Sequence, residues 1–234
     1  MTTRQTAATH RPVAKEFPEQ LPRREMRNSV YLDLPGYQTG LHLHFGADDT
    51  TLVISEAALG WNLSQSEGVF YPDLMIAFNV DRAAVIRAQG IAIDDVGKPP
   101  EFVMEIASKR TAARNYGIKR TGYARYGVLE YWRFDPTSEK RYPEPLAGDR
   151  LVGSEYQSIA VEQSGEAFYW GHSDILNLDI CWDRGQLRWY DPVAQAYILT
   201  HGDERARRIA AEAEAAEAQR RVKELEEKLY RRSQ

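Results

Sequence analysis

The sequence predicts an α/β domain built on a mixed β-sheet flanked by helices, followed by a long charged C-terminal helix. Three observations predict it. Residues 99–136 read as strand, helix, strand, and such a crossover sets the two strands parallel with the helix on one sheet face. After Pro143 the pattern changes to short strands separated by turns. From about Asp203 to Arg232 it changes again, to Ala, Glu, Arg, Lys and Leu.

Taken in order, residues 1–28 are rich in Thr, Pro, Arg and Glu without an apolar period, which predicts a mobile arm. Residues 29–200 carry the patterns of one folded domain. Leu41-His42-Leu43-His44-Phe45 alternates and predicts a strand with His42 and His44 on one face. Thr51–Ser55 predicts a second strand, and Val69–Phe78 a buried one entered through Pro72, with Asp73 just inside it. Residues 81–99 read as an excursion between strands. Phe102–Ala107 is the next apolar run, with Glu105 in its middle.

Across residues 109–126, Ala112, Tyr116, Lys119, Tyr123 and Tyr126 recur at helical spacing. Gly127 is placed to end that helix, because glycine enters the left-handed conformation without strain. Val128–Phe134 then reads as a strand stopped by Asp135-Pro136. Further strands are expected at Tyr156–Val161 and Ala167–Trp170, and a hairpin at Ile180–Tyr190 turning at Arg184-Gly185. Residues 201–234 form the charged helix. Its acidic and basic residues nearly balance, so it is no DNA-binding arm. Val222, Leu225 and Leu229 give it a short apolar seam that suits pairing with a second copy.

Composition narrows the classes. The 234 residues are 43% apolar and 27% charged, enough for one real core, which excludes wholesale disorder. A net charge of −4 supplies no global field toward nucleic acid or an anionic membrane, so any DNA contact needs a local basic patch. The single Cys181 excludes an intrachain disulfide and fits a reducing, cytoplasmic setting. No run of 18 apolar residues spans a membrane, and the first 25 residues lack the apolar core of a secretion signal. No GxxxxGK[ST] phosphate loop or GxSxG elbow is present, and His172-Ser173-Asp174 are too close together to make a triad alone.

Asp73, Glu105 and Lys119 stand out as polar where the pattern predicts burial. A carboxylate in an apolar strand is costly unless paired, hydrogen-bonded or bound to a cation. Two brought together repel, which raises one pKa or recruits a metal. Oxygen donors without nearby Cys or His point to Mg²⁺ or Mn²⁺ rather than zinc. A lysine beside the pair would balance charge, orient a water and stabilise a phosphorane. These are the parts of a metal-dependent phosphodiester hydrolase. The structural alternative is a turn-capping Asp73 and a Glu105–Lys119 salt bridge.

The segments Tyr71-Pro72-Asp73, Pro99–Ser108 and Lys119–Pro136 resemble the Uma2 family of restriction-endonuclease-like proteins, within the PD-(D/E)XK nuclease superfamily. The resemblance follows the pattern PD … EI(L)S … K … YxxxGVxEYWxxDP. It is specific over residues 69–136 and looser over 31–68 and 150–200. It implies a restriction-endonuclease-like fold, with Asp73, Glu105 and the Ile106 carbonyl as metal ligands and Lys119 as the catalytic lysine. Two departures stand out: Ala107 occupies the superfamily's lysine position, and Ser108-Lys109-Arg110 replaces a Ser-Pro turn. Lys109 is the rival lysine. Glu56 and Glu67 are candidates for an additional acid.

The expected function is therefore Mg²⁺-dependent endonuclease action on DNA by a homodimer, with Lys109, Arg110, Arg114, Arg120 and Arg125 contacting phosphates. The rival is a catalytically silent nucleic-acid-binding or assembly protein on the same fold.

Overall fold

This computed structural model describes residues 37–46, 49–62, 68–108, 112–137 and 141–233. The chain divides into two units, one ending at Ile198 and one beginning at Leu199. The expected arm over residues 1–28, Glu67, Lys109 and Arg110 lie outside the described residues.

The first described element, helix α1 (Tyr37–His44), replaces the strand expected at Leu41–Phe45. Tyr37 and Leu41 lie one helical turn apart and are both buried in the same cluster as Val53, whereas Leu43 is exposed. Five alternating residues are too few to outweigh burial at i and i+4. His42 and His44, two apart on a helix, point to different sides rather than sharing one face.

Strands β1 (Leu52–Ile54), β2 (Ala58–Gly60) and β3 (Leu74–Ala77) follow. The excursion between strands consists of α2 (Arg82–Ala88), β4 (Gly90–Ala92) and α3 (Ile93–Val96). Asp81 caps α2 by accepting from the Ala84 N–H, and β4 pairs parallel with β2 in a two-stranded sheet.

Strand β5 (Phe102–Ile106) runs into a helical segment that is not uniform. Regular turns at α4 (Ala112–Arg114) and α5 (Arg120–Tyr126) flank a π-helical stretch, Asn115–Lys119. The Asn115 carbonyl accepts from the Tyr131 hydroxyl, and a carbonyl engaged by a side chain lets the helical ladder slip by a residue. Gly127 then ends α5 at φ 82°. Strand β6 (Glu130–Phe134) pairs parallel with β5, as the crossover requires.

Strands β7 (Leu146–Val152) and β8 (Glu155–Ile159) complete a six-stranded sheet of order β1-β3-β5-β6-β7-β8, antiparallel except at β5–β6. The later strands β9 (Glu162–Gln163), β10 (Phe168–Ser173), β11 (Leu178–Asp183), β12 (Gln186–Asp191) and β13 (Ala196–Tyr197) form an antiparallel five-stranded sheet. Its β11–β12 hairpin turns at Arg184 and Gly185, both at positive φ.

The six-stranded sheet buries both faces. On one, Leu74, Ile76, Met104, Trp132 and Phe134 join a cluster with Ile180, Leu187 and Trp189 of the second sheet. On the other, Met75, Val103 and Tyr131 cluster with Tyr123 and Tyr126 of α5. Trp132 fits because Gly148 and Gly171 flank it; a Cβ at either would stand 2.8 or 2.9 Å from its ring. Glu130, fully buried, accepts from the Trp132 indole, the Ser173 hydroxyl and the Asp174 N–H, which fastens the first sheet to the end of β10.

Helix α6 (His201–Arg232) forms the second unit. Thr200 and Asp203 cap it reciprocally, and none of its side chains is buried. Among the described residues, no helix is long and apolar enough to cross a membrane.

On the helix-facing side, Arg120 and Arg133 converge on Asp149 of β7. Arg120 binds it through two nitrogens at 2.9 and 3.0 Å, and Arg133 at 2.6 Å. Burial pushes the Asp149 carboxyl up, but the Arg120 hydrogen bonds and the Arg133 charge outweigh that and hold it below its ordinary value. A carboxyl lowered in the folded state contributes stability that is complete above its ordinary value of 3.8 and is lost as the pH falls through the lower folded value. Asp149→Ala leaves Arg133 buried and unbalanced, and should cost about 3–5 kcal/mol in urea unfolding at pH 7. The gap to the wild type should narrow below pH 3.8. A deficit that is constant with pH would show that the carboxylate's charge is not what holds the cluster.

Candidate active site

The β3–β5 ladder pairs Leu74 with Met104. Continued by one residue, it sets Asp73 opposite Glu105 on the helix-facing side, and side chains facing each other across neighbouring strands lie close enough to interact. Glu105 is itself paired with Arg133 across the parallel ladder. A polar row thus crosses the middle of the sheet, from Asp73 through Glu105 to Arg133.

Asp73 is 5% exposed and Glu105 1%. Asp73 Oδ2 accepts from the Ile106 backbone N–H at 2.7 Å. Burial, and then the neighbouring Glu105 charge, raise its carboxyl well above the ordinary range; the Ile106 hydrogen bond and the Lys119 charge oppose them. Glu105 Oε1 accepts from Lys119 Nζ at 2.5 Å and from the Tyr123 hydroxyl at 2.6 Å. Burial, reinforced by Glu105, holds the Tyr123 phenol well above its usual value, so it remains a donor.

Lys119 ends the π-helical stretch and is 8% exposed. The stretch alters the face anticipated from regular spacing: Asn115, Lys119, Tyr123 and Tyr126 are buried, while Ala112 and Tyr116 are half-buried. Lys119 and Tyr123 then lie one turn apart over the same carboxylate. The structure brings Asp73, Glu105 and Lys119 together, with Ile106 contributing its N–H to Asp73.

Other candidates separate. Glu56 lies near enough for its charge to raise Asp73 slightly, and it stands at positive φ with its N–H on the Pro72 carbonyl. Arg120 is not a free phosphate contact but is engaged by Asp149 and the Tyr156 carbonyl. Arg114 and Arg125 are exposed. His172 binds Asp179 and Ser173 binds Glu130, so they form no triad. Cys181 is buried, and burial pushes its thiol up to about 12, which leaves it unreactive. Trp189 is a core residue at 0% exposure.

Tyr123 and Arg133 escaped the sequence reading as site residues. For Arg133 the signal was present: a charged residue in the buried strand Glu130–Phe134, in the same kind of setting as Glu105. For Tyr123 nothing in the pattern separates a core tyrosine from one that orients a carboxylate.

The donor set fits a hard divalent ion. Mg²⁺ is commonly held by one or two carboxylates together with water and substrate phosphate, and a cation would relieve the repulsion that raises Asp73. Among the described residues, no group of three or more His, Cys, Asp and Glu gathers around a common point.

The chain belongs to a family of nuclease-like proteins. The Uma2 family, described as "Putative restriction endonuclease", matches residues 39–171, more than half of the chain. Among solved structures, the chain is similar to "a putative nuclease belonging to DUF820" from Anabaena variabilis, at 12% identity and a TM-score of 0.38, covering 62% of this chain and 74% of that one. No curated protein matches.

The Lys119 ammonium balances only one of the two buried carboxylates, and the Glu105 charge still raises Asp73. Asp73→Asn keeps an acceptor for the Ile106 N–H and removes the repulsion. In EDTA at pH 7 it should raise the thermal midpoint by about 2–4 °C, read by circular dichroism. An unchanged or lower midpoint would show that the two groups do not oppose each other.

Proposed function

We propose that the protein is a Mg²⁺- or Mn²⁺-dependent endonuclease that hydrolyses phosphodiester bonds in DNA. The observation that carries this reading is the convergence of Asp73, Glu105 and Lys119, where Lys119 reaches Glu105 from a helix rather than from the position just after β5 occupied by Ala107. Asp73, Glu105 and the Ile106 carbonyl are the proposed ligands. Bound there, the ion supplies Lewis-acid polarisation of the phosphodiester and a counter-charge for the transition state.

The remaining work falls to this chain's own groups. Tyr123 holds Glu105 in place through its hydroxyl. Lys119 Nζ, which lies on Glu105 in this structure, would orient the attacking water and donate to a phosphate oxygen as negative charge builds there. Arg114 and Arg125, exposed on the same helical segment, are proposed to contact the DNA backbone. A homodimer would present two such sites to a duplex, with the Val222, Leu225 and Leu229 seam of α6 as its pairing surface.

A second reading is a catalytically silent nucleic-acid-binding or assembly protein. It draws on Glu105 being already bound to Lys119 and Tyr123, which is also what a structural ion pair requires.

Plasmid nicking with Mn²⁺ separates the two. Wild type should nick, and Glu105→Ala and Lys119→Ala should each fall by on the order of 100-fold or more. Calorimetry should show Mg²⁺ or Mn²⁺ binding that Asp73→Asn abolishes. No metal binding and no nicking by the intact protein would leave the silent reading in place.

A further inference from the structure

Helix α6 presents an ordered apolar face to solvent. None of its side chains is buried, and Val222, Leu225 and Leu229 are 54%, 56% and 66% exposed. Smaller apolar residues continue the same line toward the N-terminus. Ala211, Ala215, Ala218, Val222, Leu225 and Leu229 follow one another at intervals of 4, 3, 4, 3 and 4 residues. That period of 3.5 is the heptad seam of a coiled coil. The next position upstream is Arg208, where the seam stops. Ala215, Val222 and Leu229 occupy the a positions of the heptad, and Ala211, Ala218 and Leu225 the d positions. A β-branched valine at a followed by leucine at d favours two strands over three or four.

The residues beside the seam, at positions e and g, choose its direction. In a parallel pair in register, each g residue meets the partner's e residue five positions further on. Arg207 then meets the partner's Glu212, Arg221 the partner's Glu226, and Glu214 the partner's Gln219. Two-fold symmetry repeats each contact, so every charged pair joins opposite signs. Glu212 also lies 3.8 Å from Arg208 of its own helix, an exposed contact of the weak kind.

An antiparallel pair over the same six layers brings g to g and e to e. Arg221 then meets its own copy and Glu212 meets Glu226, while Glu214 with Lys228 is the attractive contact. Like charges in those places offset what the attractive pair gains. Both members of each pair in the parallel arrangement stand on one helix, so the surface is complementary to itself, as a two-fold interface requires.

We propose that α6 pairs with α6 of a second copy of this chain as a parallel, in-register, two-stranded coiled coil over residues 211–229. Arg207 with Glu212 and Arg221 with Glu226 bridge the two strands and fix their direction. The pairing rests on the homodimer of the proposed function and gives it direction and register; it needs nothing of the chemistry at Asp73 and Glu105. Both helices then begin at the same end of the pair.

The test is sedimentation equilibrium of the full chain in EDTA, beside plasmid nicking with Mn²⁺. Wild type should sediment as a dimer. Leu225→Ala keeps a strong helix former at an exposed position, and should weaken the dimer about tenfold or more. Glu226→Arg sets like charges at Arg221 in a parallel pair, and should weaken the dimer about tenfold. In an antiparallel pair the same change meets Glu212 and tightens it. Adding Arg221→Glu to Glu226→Arg should restore the parallel dimer.

A monomeric wild type, or a dimer unmoved by Leu225→Ala, overturns the pairing. A dimer tightened by Glu226→Arg overturns its direction. Nicking by a monomeric wild type would leave the nuclease reading standing without the pair. Conversely, a dimer that answers these substitutions as expected, with no nicking, supports the pair and removes the nuclease reading.

Discussion

The arrangement depends on one buried carboxylate, Glu105, and on what neutralises it. It sits at 1% exposure in the central parallel pair of strands, where water cannot solvate its charge. Lys119 and Tyr123 reach its Oε1 from the crossover helix, so the helix must lie where those two side chains can meet it. The parallel β5–β6 pair requires the crossover, and the crossover delivers the lysine. Chain topology and charge balance are therefore one constraint. A lysine two residues after the acid would satisfy that constraint locally; here Ala107 leaves it to the helix.

Around this centre the polar groups fall into two kinds. Glu130 and Asp149 are buried with several donors each, and they join elements distant along the chain. Asp73 differs. One backbone N–H supports it, while burial and a neighbouring carboxylate work against its charge. Well-supported buried carboxylates serve the fold, whereas Asp73 is held against its own ionisation.

Much of this was legible in the sequence, for identifiable reasons. Asp73 and Glu105 stood out because each interrupts an apolar run, and the strand–helix–strand order of residues 99–136 needs only spacing and Gly127 to be read. The failures have physical causes. Leu41–Phe45 alternates over too few residues to distinguish a strand from one face of a helix, and the burial of Tyr37 and Leu41 settles it as helix. The π-helical stretch was invisible because its cause, the Tyr131 hydroxyl on the Asn115 carbonyl, lies in the following strand. The same holds for Arg120, whose engagement by Asp149 is a contact across 29 residues that no local pattern encodes.

The last helix carries a consequence of a different kind. Its 32 residues bury nothing and rely on a reciprocal cap at Thr200 and Asp203, so its extent is free of the volume matching that governs a packed interior. At 1.5 Å per residue it is a rod of about 48 Å. Whole turns added to or lost from its far end change its length in steps of about 5.4 Å.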